Sequence, residues 1–60
     1  MDAYRVIGVS AGADRETTRD AWRDGLMANH PDHHPGDAAA QERTRHLQEA
    51  WEILERHFGW

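Results

Sequence analysis

His30-Pro31-Asp32-His33-His34-Pro35-Gly36-Asp37 separates two segments of helical periodicity, and its prolines decide how those segments are joined. Pro31 ends the first segment and disfavours the α region for His30 before it. Pro35 repeats the restriction on His34, so residues 30–36 are expected to form a short, largely extended connector. Helices joined this way fold back as an antiparallel hairpin with His30 and Asp32 at its tip. A charged, stiffened tip is more often a recognition surface than an active site.

Upstream, the residues predict a helix over about 15–29, with Asp14 as its N-cap and Glu16 in the first turn, where the helix dipole favours negative charge. Its inner face is sparse. Thr18, Gly25 and Asn29 fall together between Ala21, Trp22 and Leu26. Gly25 costs about 1 kcal/mol relative to alanine inside a helix. This helix needs packing to form. Arg15, Arg19 and Arg23 make one stripe along it and Glu16, Asp20 and Asp24 the next. Glu16–Arg19 and Asp20–Arg23 have i,i+3 spacing and are expected to pair.

Downstream, Asp37 opens a helix over about 38–58. Ala40, Thr44, Leu47, Trp51, Leu54 and Phe58 recur every three or four residues, with Ala50 beside them, and Gly59 ends the run. At the other end Asp2 caps a short helix over about 3–7, stopped by Gly8, with Tyr4, Ile7 and Val9 as its apolar contribution. No strand pattern or internal repeat appears. The fold class is all-α, one domain over residues 1–60: an antiparallel helical hairpin braced by a short N-terminal helix.

Composition narrows the function. Sixty residues bury only roughly 60% of the unfolded chain's surface. With no cysteine there are neither disulfides nor thiolate metal sites, and stability must come from helix packing. That usage suits a reducing cytoplasm. A net charge of −4 opposes non-specific nucleic-acid binding, and no apolar run is long enough to span a membrane. Every basic residue is arginine, whose guanidinium suits bidentate contacts with carboxylates.

Read together, the motifs resemble a family. Asp2-Ala3-Tyr4-Arg5-Val6-Ile7-Gly8-Val9 resembles the opening of a J-domain, the module shared by DnaJ-type co-chaperones. So does Ala13 followed by the helix with Arg19, Ala21, Trp22 and Arg23. His30-Pro31-Asp32, then Pro35-Gly36-Asp37, matches the signature loop and its exit, and Gln48-Glu49-Ala50-Trp51-Glu52-Ile53-Leu54 the late third helix. The match is gap-free over nearly the whole chain.

The resemblance implies a co-chaperone that binds the ATPase domain of a DnaK-type heat-shock chaperone and stimulates its ATP hydrolysis. It implies that His30, Pro31 and Asp32 form the trigger and that Arg19 and Arg23 supply positive contacts. Trp22 falls where the family has an aromatic residue near the partner-binding face, although helical spacing fits a core position equally well. The expected protein is a monomer without cofactor, catalytic residues or nucleic-acid or membrane partner. Without the family's short fourth helix or client-binding regions, it resembles the J-proteins that bring only the trigger.

Departures from the family pattern matter as well. Thr18, Gly25 and Thr44 stand where the family usually has isoleucine or leucine, leucine and phenylalanine, which predicts a thinned core that Trp51 partly refills. Asp20, Asp24 and Ala28 replace residues that tend to be basic, which reduces the positive potential that steers encounter. A degenerate J-like interaction or decoy module with weak or no ATPase stimulation is therefore the alternative. A third reading is a small metal-binding hairpin using His30, Asp32, His33, His34 and Asp37, since imidazole and carboxylate suit zinc or nickel. Against it, an extended loop splays neighbouring side chains apart and nothing supplies a second coordination shell. An enzyme is disfavoured: the only serine is Ser10, and a hairpin tip offers no pocket that excludes water.

Overall fold

The structure, a computed structural model, describes residues 2–60; Met1 lies outside them. Three helices make up the described residues: α1 over Ala3–Ile7, α2 over Arg15–Ala28 and α3 over Ala38–Phe58, with no strand. Each starts at the aspartate that the sequence marks. Asp2 Oδ1 accepts from the Tyr4 and Arg5 amides at 3.1 and 3.4 Å, and Asp14 Oδ1 from Thr17 at 2.8 Å. Asp37 Oδ1 accepts from Ala39 and Ala40 at 2.9 and 3.2 Å. These bonds satisfy amides that a helix start leaves without partners.

Ala3 and Ile7 of α1 join Leu47, Ala50, Trp51 and Leu54 of α3 in one buried cluster. Ala21, Trp22 and Leu26 of α2 close it from the other side. The Trp22 and Trp51 rings stack with centroids 4.8 Å apart and planes 12° apart, which fastens α2 to α3. Trp60 folds back onto Trp51 at 5.7 Å, its amide donating to the Glu55 carbonyl at 3.0 Å. Phe58, expected at the end of the inner seam, is 46% exposed instead. It stacks on Trp60 at 4.9 Å, past the reach of the hairpin's interior.

The thinned core is closed by approach and by hydrogen bonding. Thr18 is wholly buried, and its hydroxyl donates to the Asp14 carbonyl at 2.7 Å, so no polar atom is stranded. The half-buried Thr44 hydroxyl donates likewise to Ala40 at 3.0 Å. At Gly25 a Cβ would stand only 2.9 Å from Leu47 Cδ1; the bare glycine backbone is the seat of that leucine. Trp51 is buried, stacked on Trp22 and tilted against Trp60.

The hairpin tip as a candidate docking site

Helix α2 stops at Ala28, one residue short of its expected end, and Asn29 is its C-cap. The Asn29 side chain donates to the Gly25 carbonyl at 2.8 Å and accepts from Arg43 Nε at 2.6 Å. This ties the end of α2 to α3 just below the tip.

The connector is not extended. It is two consecutive turns, which His33 N→His30 O at 2.9 Å and Asp37 N→His34 O at 3.1 Å close. The physical reason lies in the same prolines. Pro31 and Pro35 each take the second position of a four-residue turn, for which their fixed φ is preset. Gly36 follows Pro35 with φ 73°, the left-handed conformation a type II turn demands at its third position. The restriction on a residue before proline is compatible with the first position of a turn, so it does not force an extended chain.

At the apex the Asp32 side chain is 87% exposed and that of His30 57%. The Asp32 amide donates to His30 Nδ1 at 3.2 Å, which places the proton of the neutral ring on Nε2. The Asp32 carboxylate stands 3.5 Å from the same Nδ1 and has no backbone donor among the described residues. Its oxygens are thus left for an external cation, on a loop whose shape two prolines fix beforehand.

Arg19 and Arg23 are exposed on α2, and the expected Glu16–Arg19 and Asp20–Arg23 pairs do not form. Such pairs gain only a few tenths of a kcal/mol in water, less than the rotamer freedom they restrict. Helix α3 behaves differently: Arg45 bridges Glu42 and Glu49. Arg19 and Arg23 thus keep their guanidinium groups without an ion-pair partner among the described residues.

Trp22 is half-buried against Trp51, and its indole Nε1 is buried without a partner among the described residues. One face of the ring is thus packed inside the hairpin, while the residue as a whole keeps part of its surface exposed. Sequence reasoning missed Met27, at 65% the most exposed large apolar side chain among the described residues. It links a surface strip of Asp20, Arg23 and Asp24 to His30, Asp32 and His33. Its outward angle on the helix wheel, between Arg23 and Asp20, was the available signal. Among the described residues no group of three or more histidine, aspartate or glutamate side chains stands close enough to hold a metal ion.

These features coincide with the comparisons. A family model described as the DnaJ domain matches residues 2–57. The chain belongs to the DnaJ-domain family. Chaperone protein DnaJ of Xanthomonas axonopodis pv. citri is 45% identical over 53 residues, covering 88% of this chain and 14% of the relative. Chaperone protein DnaJ of Orientia tsutsugamushi is 41% identical over 54 residues, with 90% and 14% covered. This J-domain thus spans 14% of the length of the curated relatives it matches. No solved structure matches it significantly. No helix among its described residues is long and apolar enough to cross a membrane.

Proposed function

We propose that this J-domain docks on the ATPase domain of a DnaK-type heat-shock chaperone and stimulates its ATP hydrolysis, acting as a binding module and not as an enzyme. The observation that supports this best is the unspent Asp32 carboxylate at a proline-fixed apex. In the proposed complex Asp32 pairs with a partner arginine, a charge-assisted bond that strengthens as the interface dries. Pro31 contributes by holding the turn before contact, so little ordering is left to do on binding. His30 turns its Nε2–H outward as a donor. Arg19 and Arg23, free of internal partners, meet acidic groups of the chaperone. Trp22 supports the face from behind by fixing α2 on α3.

The decoy reading draws on a specific observation too. Asp20 and Asp24 are exposed on the same helix and no arginine neutralises them. One experiment separates the two readings: steady-state ATPase of a DnaK-type chaperone with the wild-type domain and with Asp32→Asn. A hydrogen bond to a charged group is worth about 1.5–3 kcal/mol. The substitution should therefore raise the half-maximal concentration at least tenfold while the melting temperature stays put. Stimulation that survives Asp32→Asn removes the tip from the interface; no stimulation by wild type leaves the decoy.

A further inference from the structure

We propose that His34 is a positioning residue for the tip, a strut that joins the end of α2 to the start of α3 beneath the apex. Its value for docking rests on the function proposed above; the strut itself is a property of the free chain.

The last carbonyls of a helix have no intrahelical donors, and a basic side chain nearby commonly satisfies one. Helix α2 has no basic residue in its last turn. His34 supplies the missing donor from across the loop. Its Nε2–H donates to the Ala28 carbonyl at 2.8 Å, on the last residue of α2. The opposite ring nitrogen, Nδ1, lies 3.6 Å from Asp37 Oδ2. Asp37 meanwhile uses its other oxygen to cap α3. One imidazole thus stands between the C-terminus of α2 and the N-cap of α3.

The backbone of the same residue is pinned as well. The His34 amide donates to His30 at 3.2 Å, and its carbonyl accepts from Asp37 at 3.1 Å. Residues 30–33 are therefore a short loop closed at Ala28 on one side and His34 on the other. With both ends fixed, the chain entropy left to the apex is small, and the direction in which Asp32 points is set before any partner arrives. The neighbouring His33 is exposed and makes no side-chain bond within the described residues, so adjacency alone does not create the strut.

Two variants test it. His34→Ala removes the donor. His34→Gln puts an amide N–H at the same bond distance from Cβ as Nε2–H and restores it. In the free protein, hydrogen exchange of the His33 amide should quicken about fivefold in His34→Ala, the equilibrium factor of one neutral hydrogen bond. In His34→Gln it should return to the wild-type rate. With a DnaK-type chaperone, His34→Ala should raise the half-maximal concentration by the same factor with the plateau of stimulation unchanged, and His34→Gln should reverse this. Wild-type exchange in His34→Ala, or failure of glutamine to rescue it, overturns the strut. A lowered plateau with an unchanged half-maximal concentration overturns the positioning role. Absence of any stimulation by the unaltered domain overturns instead the docking function, and the exchange data still decide the strut.

Discussion

Gly25→Ala isolates the contact on which the hairpin closes. A Cβ built there lies 2.9 Å from Leu47 Cδ1 and 3.3 Å from Cδ2. Carbon pairs prefer roughly 3.5–4.0 Å, so the leucine terminus must retreat by roughly 0.6–1 Å. It has somewhere to go: Leu47 and Gly25 line an open groove with Val6, Ile7, Asn29 and Arg43. Moving a side chain off its rotamer costs about 0.5–1.5 kcal/mol. Against this, alanine gains about 1 kcal/mol of helix propensity over glycine, and its methyl buries up to about 0.8 kcal/mol of apolar surface. The balance is a stabilisation of about 0.5–1 kcal/mol, or a rise in melting temperature of about 2–8 °C for a domain of this size. Thermal unfolding followed by far-UV circular dichroism reads this directly. A fall in melting temperature would refute the reasoning, because it would mean that Leu47 is locked against the glycine and the groove cannot receive it. Gly25→Leu is the contrasting case. It asks the groove to take a whole side chain, and overpacking of about 1–3 kcal/mol should lower the melting temperature.

Trp51→Ala removes the ring between Trp22 and Trp60, a cost of about 3–5 kcal/mol. A chain of 60 residues has roughly 3–9 kcal/mol of stability in total, so the melting temperature should fall by more than about 12 °C or the cooperative transition vanish; a smaller drop would show that the stack contributes little. Hydrogen bonding from Thr17, its side chain first and its amide second, holds the Asp14 carboxyl below the ordinary carboxylate range. A depressed carboxyl stabilises the fold above its unfolded-state pKa and loses that effect as pH falls through the folded value. Melting temperatures measured down into the acid range should therefore drop less steeply for Asp14→Ala than for wild type; identical slopes would contradict the capping role. If Arg19 and Arg23 meet the chaperone, raising salt should weaken docking, since exposed charges are screened over about 10 Å at 0.1 M. The Arg19→Gln, Arg23→Gln double variant should flatten that dependence, and an unchanged salt slope would take both arginines out of the interface.

Much of the fold is legible residue by residue because its determinants are local. Asp2, Asp14 and Asp37 announce helix starts through bonds to amides two or three positions on. The spacing of Leu47, Trp51 and Leu54 marks one helix face without knowledge of what covers it. Pro31 and Pro35 break the chain wherever the rest of it lies. The errors fall where two outcomes share one local signal. A proline restricts its predecessor equally in an extended strand and in the first position of a turn, and the carbonyls of His30 and His34 chose the turn. Glutamate and arginine at i,i+3 spacing are free to pair or to remain in water, and on α2 water wins. Phe58 continues the periodicity of α3 past the buried cluster, where Tyr4 of α1 and Trp60 flank its ring and leave it half exposed.

By itself, then, the sequence determined three helices, their caps, and a proline-fixed apex carrying an imidazole and a carboxylate, since each follows from torsional preference or from bonds within a few residues. Tertiary structure alone decided what meets across the hairpin: Leu47 seated on Gly25, Trp22 stacked on Trp51, Arg43 on Asn29, and His34 spanning from Ala28 to Asp37. Those contacts depend on the approach of two helices, and helix separation is set by the sum of side chains between them. No single position along the chain encodes that sum.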